Sequence, residues 1–288
     1  MKIKSVLIVC LLLVPVLVLA QNEESTDNSL INNQNTALPD SRSSSRLATG
    51  SVLYDNGPLV NSPGTGVGGL DESVLQSSLG MSTLGLGHQV SADNRVADDF
   101  TIPAGGWFIN QIEFFAYQTG ETASTITAVN LQIWDGPPGQ PGSNVVFGDT
   151  STNRMSQTAA ADILRVTEAT TGTNTDRQIA VNVVDVYTTF PAGTYWLDWQ
   201  SDGTGLSGPW APPITINGSD TTGNGLQSTD GGVTYNSAND SGSASQQGFP
   251  FIIYGSGAEP QIIPTMSFYG MMGLMLLLLF FSRRYIRQ

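Results

Sequence analysis

The sequence predicts an all-β protein, a jelly-roll-like β-sandwich, and three observations predict it. Glycine and proline are abundant, at 32 and 15 of 288 residues, and they gather in clusters that punctuate the chain. Between the clusters, apolar and polar residues alternate at a period of two, which places them on opposite faces of a strand. Helical periodicity is scarce, and no segment repeats at a fixed interval, which argues against a propeller or solenoid.

The chain opens with a different pattern. Met1-Lys2-Ile3-Lys4 is basic, and an apolar run follows from Val6 to Ala20, broken only by Pro15. Val18-Leu19-Ala20 before Gln21 supplies small or modest side chains at the positions a signal peptidase reads. Residues 1–20 are therefore expected to be a secretory signal peptide, cut between Ala20 and Gln21. Residues 21–50 are rich in Asn, Gln, Ser and Glu and contain no aromatic residue. Such a segment buries too little apolar surface to offset its ordering and is expected to be a disordered linker.

The folded body is expected over residues 51–255, long enough for one sizeable core. Ile112, Phe114 and Ala116 alternate with Glu113, Phe115 and Tyr117. Ile126, Ala128, Leu131 and Ile133 mark a strand ending at Trp134. Val145-Val146-Phe147, Ile163-Leu164-Arg165-Val166 and the Ile179, Val181, Val183 series follow. Tyr195, Leu197 and Trp199 alternate with Trp196, Asp198 and Gln200; Ile214-Thr215-Ile216 and the run from Phe249 to Tyr254 complete the set. Asp135-Gly136-Pro137-Pro138-Gly139, Pro191-Ala192-Gly193, Asn217-Gly218 and Asp230-Gly231-Gly232 are the turns between them. The segment Phe190-Pro191-Ala192-Gly193-Thr194-Tyr195-Trp196-Leu197 resembles a phrase of secreted bacterial β-sandwich domains, a resemblance that implies a fold and no activity.

A short linker, residues 256–261, leads to the C-terminal region, residues 262–288. There Ile263-Pro264-Thr265-Met266-Ser267-Phe268-Tyr269-Gly270 precedes an apolar run to Phe281, and Arg283, Arg284 and Arg287 close the chain. From Met266 to Phe281 a helix would be about 24 Å long, and the preceding residues bring it to the ~30 Å of a bilayer core. The arginines behind it place the tail in the cytoplasm and the body outside. Octapeptide, apolar helix and basic cluster together resemble the IPTL-CTERM sorting signals of Gram-negative bacteria, relatives of the PEP-CTERM signals. Ile263, Pro264, Thr265, Ser267 and Gly270 match that pattern, while Met266 and Tyr269 stand where it has Leu and Trp. The resemblance implies an exosortase-type membrane enzyme as partner, acting at the motif. Pro264 suits that role, because it stops the helix and leaves the motif as extended chain at the membrane surface.

Charge and chemistry narrow the rest. All 24 acidic residues lie between Glu23 and Glu259, where six arginines and no lysine leave a net −18. So anionic a body repels phosphate backbones, which excludes nucleic acid as a partner. The single cysteine, Cys10, lies in the leader, so the body has no thiol chemistry. His88 is the only imidazole and has no triad partners at recognisable spacing; it is expected to be a loop residue. Asp98-Asp99 is expected to mark the start of a strand. Glu113 and Asp198 are the carboxylates that would serve a glycoside hydrolase if they shared a cleft. Calcium is the metal that acidic, Gly-rich loops would suit, with Asp198, Asp202, Asp220 and Asn224 as weak candidate ligands and Asn239-Asp240-Ser241-Gly242 as another option. Trp196, on the face opposite Leu197, and Trp210, in a proline-rich loop, are the aromatics that would stack on a polysaccharide. Trp199 is expected in the core. The reading is an exported, non-enzymatic cell-surface or envelope protein, held by its C-terminal helix and then sorted to the surface or released. The alternative is a carbohydrate-binding module, and a carboxylate hydrolase is the weaker one.

Overall fold

A strand that alternates at period two must bury one face, and in this chain two six-stranded sheets bury theirs against each other. The computed structural model describes residues 23–25 and 47–257. The signal peptide with its cut at Ala20 and Gln21, the motif from Ile263 to Gly270, and Arg283, Arg284 and Arg287 lie outside these residues. No helix among the described residues is long and apolar enough to cross a membrane.

The first sheet runs, edge to edge, β2 (Ser51–Asp55), β15 (Phe251–Gly257), β6 (Trp107–Ala116), β10 (Gln178–Phe190), β9 (Met155–Thr167) and β3 (Asp71–Leu75). The second runs β14 (Asn236–Ser237), β13 (Leu226–Ser228), β5 (Arg95–Ile102), β11 (Gly193–Gly203), β7 (Ile126–Trp134) and β8 (Val145–Asp149). Neighbours are antiparallel except β3 and β9. Between the sheets lies one core. Ile112 and Phe114 from the first meet Val129, Leu131, Leu197 and Trp199 from the second. Phe114 stacks on Trp199 with ring centroids 4.6 Å apart.

The outer face of the first sheet is buried too. A small sheet of β1 (Glu23–Ser25), β4 (Thr83–Gly87) and β12 (Trp210–Ala211) contributes Leu84 and Trp210 to a second cluster. Phe115, Tyr117, Ile179, Val181 and Tyr254 supply its other wall. This packing explains why Phe115 and Tyr117, opposite the core series of β6, are apolar. It also explains a glycine. A Cβ at Gly85 would stand 2.6 Å from the Tyr117 hydroxyl and 2.9 Å from the Trp210 Cβ, closer than any side chain tolerates.

The pairing is that of a ribbon folded back on itself. β2 and β15, the first and last strands of the two large sheets, pair with each other, β5 pairs with β11, β6 lies between β15 and β10, and β7–β8 is a hairpin; β9 and β3 extend one sheet, and β13 and β14 the other. Three expectations need correction. First, the linker over 21–50 is not wholly without structure. Glu23–Ser25 forms β1 and pairs with β4, and Leu47, Ala48 and Thr49 are held by side chains of β6. Second, Ile214 to Ile216 belongs to no strand; the Ile214 and Thr215 N–H groups bond the Gly248 and Pro58 carbonyls singly. Third, Asp98 and Asp99 lie inside β5 and do not mark its start.

Candidate functional site

The densest group of chemically capable side chains lies on the outer face of the second sheet. On β11, Tyr195, Leu197 and Trp199 face the core, so Trp196, Asp198 and Gln200 face outward. On β5, Val96, Phe100 and Ile102 face the core, so Arg95 points the same way as Asp198. The Arg95 Nε donates to Asp198 Oδ1 at 2.8 Å, and both side chains are almost wholly inaccessible, at 1% and 0% exposure. Arg95 Nη1 donates to Asn130 Oδ1 (2.8 Å) and Gln200 Oε1 (3.1 Å), and Nη2 donates to the Asp198 carbonyl (3.1 Å). Asp198 Oδ2 accepts from the Tyr235 hydroxyl (2.7 Å) and from Trp134 Nε1 (3.2 Å). Burial and the adjacent Asp198 charge push the Tyr235 phenol far above its ordinary value, so it stays a donor.

Chemically this arrangement is a lock. Both oxygens of Asp198 are engaged, by an arginine, a phenol and an indole, and the side chain is wholly inaccessible, so neither oxygen is open to a substrate or cation from solvent. A buried ion pair is tolerable only when its remaining donors and acceptors are satisfied, and here Asn130 and Gln200 satisfy them. Arg95 is the residue the sequence did not single out. With six arginines among 24 acids in the stretch that holds the body, a cation at an outward strand position next to apolar Val96 was the signal.

Two other carboxylates are built into the frame in the same way. Glu113, on the outer face of the first sheet, accepts from the Leu47 and Ala48 N–H groups (2.7 and 2.9 Å) and from the Tyr254 hydroxyl (2.8 Å). Asp240 receives the N–H groups of Ser82, Thr83, Gly242 and Ser243. Burial opposes its ionisation, but these donors outweigh burial and hold its pKa below the ordinary carboxylate value. Asp98 differs, because it faces inward beside Val96 and Phe100. It accepts from the Phe249 N–H (2.7 Å), the Asn56 amide (3.0 Å) and the Asp99 N–H (2.9 Å). Burial nevertheless pushes its pKa up to about 7.

The residues singled out from sequence are thus scattered and enclosed. Glu113 and Asp198 lie on the outer faces of opposite sheets, with the whole core between them, so the hydrolase pair is corrected. As a calcium ligand, Asp198 is corrected too, since Arg95 holds the position a cation would take. Asp202 is exposed and caps its own neighbour, accepting from the Gly203 N–H (2.8 Å). The Asn224 amide donates to Asp99 (2.7 Å), while the Asp220 carbonyl accepts from Ser245 and Gln247. Among the described residues, no three His, Cys, Asp or Glu side chains come together where they could hold a metal ion.

The tryptophans are corrected as well. Trp196 is 7% and Trp210 2% exposed. On the same outward face as Trp196, Arg95 and Asp198 are themselves buried, and the Tyr235 hydroxyl bonds to Asp198. Trp210 is drawn inward by paired backbone bonds with Tyr117, and its Nε1 donates to Ser207 Oγ at 3.2 Å. A ring enclosed in this way offers no face for a sugar. Trp199 lies in the core as expected. His88 follows β4 in irregular chain, as expected of a loop residue, and there it is fully buried. Its carbonyl accepts from the Ser201 N–H (2.8 Å), and neither ring nitrogen has a hydrogen-bond partner among the described residues. Burial holds its pKa down at about 3, so the ring is neutral.

Comparison with known proteins adds no assignment: no family model, no curated protein and no solved structure matches this chain.

Proposed function

We propose that this chain is an exported bacterial envelope protein with a non-enzymatic body, delivered by its leader and sorted through its C-terminal signal. One observation carries the reading: the ordered octapeptide from Ile263 to Gly270, followed by an apolar run and then by Arg283, Arg284 and Arg287. A plain anchor requires only the apolar run and the basic flank. The octapeptide, with Pro264 keeping it extended, supplies what an exosortase-type enzyme needs in order to act at the membrane surface.

The body supports this reading by the use it makes of its polar groups. Asp198, Glu113 and Asp240 each hold strands or loops together, and each does so with its oxygens already occupied. A net charge of −18 between Glu23 and Glu259 suits a domain held in solvent beyond an anionic membrane.

The test is processing in a host that contains the sorting enzyme. Changing Pro264→Ala and Thr265→Ala together is expected to leave a larger product retained in the membrane fraction. Processing indistinguishable from the unmodified chain would overturn the proposal.

A further inference from the structure

We infer that Asn217–Gly218 is a latent deamidation site and that Gln76, far away in sequence, is the residue that holds it inert. Asparagine is a thermolabile residue, and most so before glycine, which puts no Cβ in the way of its own nitrogen. The chain has three such pairs, Asn56–Gly57, Asn217–Gly218 and Asn224–Gly225. In the reaction the glycine nitrogen attacks the asparagine Cγ, and the new C–N bond closes a succinimide ring. The asparagine Nδ2 leaves as ammonia, taking up the proton that the glycine nitrogen gives up. Water then opens the ring at either carbonyl, leaving aspartate or its β-linked isomer.

Ring closure needs a glycine nitrogen released from its hydrogen bond and a side chain free to turn toward it. At Asn56 the carboxamide is fixed. Its Nδ2 donates to Asp98 Oδ2 (3.0 Å) and the Phe249 carbonyl (2.9 Å), and its Oδ1 accepts from the Tyr54 hydroxyl (3.1 Å). At Asn224 the glycine is fixed, since Gly225 is buried and its N–H donates to the Gln247 carbonyl (2.9 Å). Asn217 and Gly218 are both exposed. They form the centre of a turn closed by the Ser219 N–H on the Ile216 carbonyl (3.0 Å), with Gly218 at φ 77°, the left-handed region that suits glycine. Gln76, which follows β3, clamps this turn. Its Oε1 accepts from the Gly218 N–H (2.7 Å), the proton that must be lost, and its Nε2 donates to the Ile216 (2.8 Å) and Ser219 (3.3 Å) carbonyls on either side. The Asn217 Nδ2 donates to the Asn61 carbonyl (3.2 Å). A single exposed hydrogen bond opens readily; three made by one side chain hold the peptide in place. Deamidation would set a carboxylate against the Asn61 carbonyl, so the modified turn is released from that contact.

The experiment incubates the full-length chain in mildly alkaline buffer and follows each of the three Asn–Gly pairs by peptide mass spectrometry, which reads the gain of one mass unit. In the parent, Asn217 is expected to convert at least tenfold more slowly than in the same chain unfolded in guanidinium; equal rates overturn the inference. Gln76→Ala is expected to speed conversion at Asn217 at least fivefold and to leave Asn56 and Asn224 at their parental rates. An unchanged rate at Asn217 overturns the role of Gln76. So does an equal rise at all three pairs, because the protection would then belong to the fold as a whole.

Discussion

Asp198 illustrates how a single side chain changes meaning when its surroundings are known. As one acid among 24, it read as a catalytic carboxylate or a calcium ligand. Beside Arg95 at 2.8 Å, under Tyr235 and Trp134, it is the counter-charge that makes a buried guanidinium tolerable. Removing it leaves that guanidinium desolvated and unpaired, which costs about 3–5 kcal/mol. Asp198→Ala should therefore lower the melting temperature by roughly 6–20 °C for a body of this size. Exposed Asp202→Ala should stay within about 0.5 kcal/mol of the parent. Calorimetry on the two variants decides the matter, and equal melting temperatures would remove the lock from the account.

At the level of elements, β4 shows what close packing demands of a sequence. Its Thr-Leu-Gly-Leu-Gly run has too many glycines to read as a strand by propensity, and no strand was expected there. The strand exists because Gly85 lets the backbone approach Tyr117 and Trp210, and because Asp240 holds the N–H groups of Ser82 and Thr83. Overpacking of this kind costs about 1–3 kcal/mol. Gly85→Ala should show a loss of that size in urea unfolding, and adding Tyr117→Phe, which removes the nearest atom, should restore part of it. No recovery in the double variant would mean that the clash lies elsewhere. The contrast with β7 is instructive, since its expected and observed spans both end at Trp134. Where a strand buries one face, alternation locates it; where neighbours enclose it on all sides, the pattern disappears.

Across the whole molecule, two buried groups give stability opposite dependences on pH. The His88 pKa of about 3 lies below its ordinary 6.5, so folding requires the neutral ring. The stability tied to it is complete above pH 6.5 and falls as pH drops toward 3. Asp98, at about 7 against an ordinary 3.8, behaves in the reverse sense. The stability tied to it is complete below pH 3.8 and falls as pH rises through 7. Each slope is worth up to a few kcal/mol, at about 1.4 kcal/mol per pKa unit. Urea midpoints between pH 3 and pH 8 should show His88→Phe flattening the acid limb and Asp98→Asn flattening the neutral limb. Parallel curves for all three proteins would show that neither group titrates with folding.

The all-β class, the two-residue alternation of β6, β10, β11 and the end of β7, and the turns that follow β7 and β10 were legible from residue order, because strand periodicity and turn chemistry are local. So was the charge division, with the acids confined between Glu23 and Glu259. Strand neighbours, the burial of Trp196 and Trp210, and the pairing of Arg95 with Asp198 were decided only when distant segments met. The physical reason is that exposure and hydrogen-bond partnership belong to a three-dimensional neighbourhood. Alternation says that Trp196 turns away from Leu197, but only the assembled structure, in which Trp196 is 7% exposed, decides that the far side is also interior.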